Sequence, residues 1–175
     1  MTDIHTVLFD LDGTLADTAP DLAHTLNEVL KEEGRPTRPF EAIRPVVSHG
    51  GIALIRFGFD IEPDHPDFDR LRQRLLDIYQ ANLVHQTRLF DGMSELLETL
   101  ESRGMAWGVV TNKPAWLTAP LMDALDLTRR AACIVSGDTT VNKKPHPEPM
   151  LHACHLAGCD ADGCIYVGDA ERDIQ

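Results

Sequence analysis

Residues 6 to 15 read TVLFDLDGTL: an apolar, β-favouring run ends in two acids, Asp10 and Asp12, with Gly13 immediately after. Adjacent carboxylates repel and raise each other's pKa unless a cation or placed donors neutralise them. A hard divalent cation with oxygen ligands does this, and magnesium characteristically sits between a few carboxylates and a phosphate. Three other places carry matching chemistry: Thr111 and Asn112 follow "MAWGVV", Lys144 lies in "KKPHPEP", and Gly168 and Asp169 follow "CIYV". Carboxylates, a hydroxyl and an ammonium gathered on a metal-bound phosphate would let one carboxylate attack phosphorus while another gives and takes the proton.

That chemistry requires the elements to bring these residues together. "TVLF" (6–9), "MAWGVV" (105–110), "AACIV" (131–135) and "CIYVG" (164–168) read as strands. Between the later ones, "PAWLTAPLMDALDL" and "PEPMLHACHLAGC" have apolar residues recurring at three and four, as helices do. Strand and helix alternation predicts an α/β fold with a Rossmann-like parallel sheet covered on both faces. In such sheets ligands bind outside the carboxyl ends of the strands, where Asp10, Thr111 and Asp169 fall and which Lys144 can reach. Asn112 reads as a cap and Pro114 as the first turn of the helix that follows.

The stretch from Asp17 to Leu89 has another texture, with no convincing strand and four candidate helices: "PDLAHTLNEVLKEEG", "FEAIRPVV", "GIALIRFGF" and "FDRLRQRLLDIYQANLV". Roughly seventy residues are too many for a loop between a strand and the next core element. They predict a helical cap domain at 17–88 inserted into a discontinuous core of 1–16 and 89–175. A further helix is expected from about Gly92 to Ser102.

Composition narrows the partners. The 175 residues, 43% hydrophobic and 25% charged, suit one good core with an insertion. Sixteen Lys plus Arg against 28 Asp plus Glu give a net charge of −12, which argues against nucleic acid or an anionic membrane as partner. The apolar runs fall far short of the ~20 residues that span a bilayer, and the first ten residues lack a targeting pattern. A cytoplasmic protein acting on a small molecule is expected. Cys133, Cys154, Cys159 and Cys164 match no CxxC spacing and are read as buried or half-buried free thiols in preference to a metal site. His146, His152 and His155 are read as surface or packing residues.

The motifs resemble those of the haloacid dehalogenase superfamily along the whole chain: DxDGT at Asp10 to Thr14, a strand-ending Thr111, a lysine in KPxP at Lys144 to Pro147, and GDxxxD at Gly168 to Asp173. The resemblance implies that Asp10 is the nucleophile forming an aspartyl phosphate and that Asp12 is the general acid and base. It implies Mg²⁺ held by the side chains of Asp10 and Asp169 and the backbone carbonyl of Asp12. Thr111 and Lys144 would hold the transferring phosphoryl oxygens, and Asp173 would support the metal from behind its ligands. The dehalogenases of the superfamily lack an acid at the position of Asp12, since a halide needs no proton, so ester hydrolysis or phosphoryl transfer is favoured.

Substrate choice is expected in the cap, at "VSHGGIALIRFGF", where Ser48, His49, Gly50 and Arg56 are the candidate contacts. Cap type and motif setting are most similar to phosphoglycolate phosphatases, and the Ser48 to Gly51 loop to bacterial N-acetylmuramic acid 6-phosphate phosphatases. Both implied substrates pair a phosphate with a carboxylate. A phosphosugar mutase or a non-catalytic remnant binding Mg²⁺ and phosphate remain the alternatives, and the oligomeric state is open. Relatives usually continue past motif four through another strand and helix, so the motif-four strand is expected at an exposed edge.

Overall fold

The computed structural model describes residues 4–174. The chain divides into two compact units, Met1–Asp17 with Arg88–Gln175, and Thr18–Thr87.

In the first unit, strand β1 (Thr6–Phe9) is followed by a tight turn and a two-residue strand, β2 (Ala16–Asp17). After the helical unit the chain returns as β3 (Arg88–Leu89), which pairs antiparallel with β2. The alternation of the sequence hides these two strands, because two residues carry no period. They correct the expectation of no strand between Asp17 and Leu89, and they keep Asp17 and Arg88 with the α/β unit. Helix α5 (Met93–Ser102) comes next. Then follow β4 (Ala106–Val110), α6 (Ala115–Ala124), β5 (Cys133–Val135), α7 (Glu148–Ala157) and β6 (Cys164–Val167). The expected strand at 131–135 is shorter by Ala131 and Ala132, which precede β5 as irregular chain and a bend.

The main sheet is parallel, in the order β5-β4-β1-β6. The chain moves from β1 through β4 to β5 on one side, and β6 then pairs on the other side of β1. The order therefore reverses at β1, and crevices for ligands open at such reversals, beyond the carboxyl ends. The register places Phe9 beside both Val109 and Val167. Asp10 donates its N–H to the Val167 carbonyl at 2.8 Å, and Thr111 donates to Val135 at 2.9 Å. The strands thus end level, and the residues after them share one edge.

Buried β-branched and large apolar residues explain the sheet. Leu8, Phe9, Trp107, Val109, Val110 and Val135 are all essentially inaccessible. Helix α7 covers β4 and β5 on one face, through Ala153 and Cys154 against Leu8, Val110, Cys133 and Val135. β6 is the edge of this sheet among the described residues, and Ile165 and Val167 are exposed on it.

The second unit consists of α1 (Ala19–Glu32), α2 (Phe40–Val47), α3 (Gly50–Phe59) and α4 (Phe68–Ala81). Pro20 sits in the first turn of α1, where its missing N–H costs nothing. Leu26, Val29, Leu30, Ile43, Leu54, Ile55 and Leu75 form its core, all at 0% exposure. One acid lies among them: Asp21 accepts the backbone N–H groups of Gln86 and Thr87 and the Thr87 hydroxyl at 2.8 to 3.0 Å. This pins the segment that leaves the unit to the start of α1. A buried carboxylate with three donors must keep them, because each orphaned group would pay its own desolvation. Asp21→Ala is expected to destabilise the protein by about 3 kcal/mol, and Asp21→Asn by less; chemical denaturation monitored by circular dichroism reads the difference.

Candidate active site

The shared sheet edge gathers the predicted residues of the α/β unit. Asp10 is 2% exposed, and its Oδ1 accepts the Leu11 N–H at 2.7 Å. The buried Lys144 ammonium lies 3.1 Å from Asp10 Oδ1 and 2.8 Å from Asp173 Oδ1. It also donates to the Tyr166 hydroxyl at 2.6 Å. That hydroxyl stands 3.1 Å from Asp173 Oδ1 and 3.2 Å from the Val110 carbonyl, either of which accepts its proton. Asp169 is exposed, and its Oδ1 accepts from the Thr14 hydroxyl at 3.3 Å. Thr111 is buried, with its hydroxyl oxygen accepting the Lys113 N–H at 3.2 Å.

The electrostatics follow from burial. Loss of solvent pushes Asp10 up to about 6; Lys144 opposes this, while Asp12 and Asp173 add to it. Burial also pushes Asp173 upward, but Lys144, the Ala170 N–H and the Tyr166 hydroxyl outweigh it and hold the carboxyl below its usual range. Tyr166 is driven up, chiefly by burial and then by the two acids, so its hydroxyl stays protonated.

Oxygens of Asp10, Asp169 and Asp173 lie within 4.8 Å of one another. Three converging carboxylates, one of them buried and reluctant to ionise, match the oxygen-rich, charge-compensated site that a hard divalent cation requires.

Several positioning residues were not singled out as site residues from the sequence. Lys113 places its ammonium 2.9 and 3.2 Å from the two oxygens of Asp12. Asn112 is not the cap of α6. It clasps the Lys144 backbone instead, donating to the carbonyl at 2.9 Å and accepting the N–H at 3.0 Å, while Asp138 takes the Ala115 N–H at 2.8 Å. Tyr166 and Arg172, whose guanidinium lies 4.0 Å from Asp10, complete the surroundings. The segments "TNKP" and "CIYV" contain Lys113, Asn112 and Tyr166, but which strand and loop face them is a property of the sheet order.

In the helical unit, Ser48 ends α2, exposed His49 precedes α3, and Gly50 opens α3 with φ +78°. Arg56 points to solvent and pairs with Glu62 at 2.7 Å. His146 and His155 are exposed and His152 half-buried; none belongs to a ligand-spaced group among the described residues.

Comparison with known proteins finds relatives along almost the whole chain. A family profile described as haloacid dehalogenase-like hydrolase matches residues 7–175. A phosphoglycolate phosphatase of Xanthomonas campestris pv. campestris is 44% identical over 96% of this chain and 76% of its own. An N-acetylmuramic acid 6-phosphate phosphatase of Pseudomonas putida is 40% identical over 98% of this chain and 77% of its own. A crystal structure of a predicted phosphoglycolate phosphatase from Haemophilus somnus 129pt superposes with a TM-score of 0.86 at 29% identity, covering 99% of this chain and 80% of that one.

Two outcomes follow from the geometry. Gly13 adopts φ +86°, and a Cβ there would stand 2.5 Å from Asp169 Oδ2, so Gly13→Ala should displace Asp169 and abolish turnover while the sheet persists; assay and circular dichroism on one sample check it. In metal-free protein, folded Asp10 keeps its proton up to about pH 6, whereas the unfolded chain loses it near pH 3.8. The folded state binds more protons across that window, so stability falls as pH rises through it, by up to about 3 kcal/mol. Asp10→Asn removes this dependence, and its melting temperature relative to wild type should rise from pH 4 to pH 7 in EDTA.

Proposed function

This chain belongs to the haloacid dehalogenase-like hydrolase family, and on that footing we propose that it is a Mg²⁺-dependent cytoplasmic phosphatase of small carboxylated phosphate esters, 2-phosphoglycolate or N-acetylmuramic acid 6-phosphate. The observation that carries the reading is the buried Asp10 facing Lys144, with a second acid, Asp12, two residues on. One carboxylate would suffice for binding a cation; the pair, at the end of one strand, suits a nucleophile with its own proton donor.

In this reading an Asp10 carboxylate oxygen attacks phosphorus in line with the ester oxygen, and the P–O ester bond breaks as the aspartyl phosphate forms. Asp12 delivers its proton to the departing alkoxide, then takes one from the water that cleaves the aspartyl phosphate, releasing inorganic phosphate and restoring Asp10. Lys144 and the Thr111 hydroxyl hold the equatorial phosphoryl oxygens, where fixed positive charge favours the transition state. Lys113 keeps Asp12 oriented between the two steps, and Asp173 and Tyr166 keep the Lys144 ammonium aimed at the site. Divalent metal use is general among these phosphatases. Here Mg²⁺ would be held by Asp10, Asp169 and the Asp12 carbonyl, supported by Asp173, and would neutralise phosphate charge. Recognition of the organic part is assigned to Ser48, His49, Gly50 and Arg56. The exposed Arg56–Glu62 pair holds weakly enough for a substrate carboxylate to replace it.

The test is phosphate release from each of the two esters with Mg²⁺. Asp10→Asn should lose on the order of 10⁴-fold in kcat or more, and EDTA should abolish turnover. Arg56→Ala should raise KM for the favoured ester with little change in kcat. Equal release by wild type and Asp10→Asn would overturn the reading, and conversion of a phosphosugar to its isomer without phosphate release would replace it with a mutase.

A further inference from the structure

Away from the acidic edge, three thiols meet at the amino-terminal end of β6. Sγ atoms of Cys154, Cys159 and Cys164 lie within 4.8 Å of one another. They come from different places: the last turns of α7, the loop after it, and the first residue of β6. Gly158, at φ +69°, turns the chain sharply off α7, and the Cys159 N–H donates to the Cys154 carbonyl at 3.0 Å, which folds Cys159 back over Cys154. A short 3-10 turn at Ala161–Gly163 then sets Cys164 into the ladder opposite Thr6. Gly163 is fixed there, since a Cβ would meet the His5 ring.

Cys133 is the internal contrast. It is also buried on this face, yet it packs against Gly108 and does not join the group. Cys133 behaves as an ordinary apolar filler, which is the common role of a free cysteine. Cys159 and Cys164 pack against the same apolar cluster but are only half-buried; the Cys164 thiol donates to the Ile165 carbonyl at 3.7 Å, and both sulfurs lie beside that of Cys154.

We propose that Cys154, Cys159 and Cys164 form a thiolate site for a thiophilic divalent cation, Zn²⁺, with solvent as the fourth ligand. Sulfur ligands suit Zn²⁺ and reject the hard Mg²⁺ that carboxylates favour. Tetrahedral Zn–S bonds of about 2.3 Å set sulfurs about 3.8 Å apart, so a triangle with 4.8 Å sides needs each sulfur to move only about 0.6 Å inward. The half-exposed side leaves room for a water. Asp160 and Asp162 in the exposed connecting loop, with no basic residue from Cys159 to Cys164, make the local potential attractive to a cation. Binding releases the thiol protons to solvent and involves no redox change. Cys164 precedes Asp169 by five residues along and beyond β6, roughly 15 Å at strand rise, so this site is separate from the acidic one and would tie α7 and its loop to the strand that leads to Asp169.

The experiment titrates Co²⁺ into the full, reduced chain in excess Mg²⁺. One equivalent should bind with intense thiolate-to-cobalt charge-transfer absorption, which carboxylate ligands do not give, and Zn²⁺ should displace it. Cys159→Ser and Cys164→Ser should lose the band, and Cys133→Ser should keep it. Should a serine variant misfold by circular dichroism, alkylation of the wild type decides: Zn²⁺ should protect Cys159 and Cys164 from iodoacetamide. Absence of the band with no protection, a band that survives both serine substitutions, or conversion of the free thiols to a disulfide that excludes the metal would each overturn the proposal.

Discussion

The ammonium of Lys144, 1% exposed between Asp10 and Asp173, is the contact on which the α/β unit depends. A parallel sheet that ends in acids must bury negative charge at its edge, and burial of an ion without a partner costs several kcal/mol. Lys144 supplies the partner, but the pairing does not bring Asp10 to the ordinary carboxylate range. The residual cost is an unspent preference for more positive charge, which a divalent cation beside Asp10 and Asp169 would satisfy. The burial of Asp10 thus costs stability that Lys144 does not fully restore.

Much of the neighbouring architecture serves to hold that lysine. Its backbone is clasped on both sides by the Asn112 side chain, and its ammonium is triangulated by Asp10, Asp173 and Tyr166. These partners arrive from β1, the end of β4, β6 and the turn after β6. A side chain fixed by four separate segments loses its rotamer freedom on folding, so its ammonium holds one position at the sheet edge. Gly13 extends the same logic to backbone: Asp169 occupies the space a side chain there would fill.

The helical unit is held differently. Its apolar core is closed by one buried acid, Asp21, that binds the departing chain through uncharged donors. Its charged pairs, Arg70 with Glu33 and Arg74 with Glu32, lie in solvent, where such pairs contribute little. Apolar burial fixes both units; the α/β unit adds a compensated ion cluster at its sheet edge, and the helical unit one buried acid held by uncharged donors.

The sequence by itself determined the α/β pattern and the position of each long element to within about three residues, and its motif resemblance singled out Asp10, Asp12, Thr111, Lys144, Asp169 and Asp173 as the candidate reactive set. It could do so because period and strand-end position are local properties, and a parallel sheet sends every strand's carboxyl end to one edge. Only the tertiary structure decided what those residues touch. Asn112 was legible as a helix cap, and its amide instead holds Lys144, because the Lys144 loop returns beside β4. Lys113 and Tyr166 gained their roles from strands and loops that neighbour each other only once the order β5-β4-β1-β6 is set. The ladder of β2 and β3 was too short to have a period. Cys154, Cys159 and Cys164 showed an unfamiliar spacing, and a left-handed turn at Gly158 with a strand start at Cys164 brought their sulfurs together, since distance in space depends on turns that no regular spacing encodes.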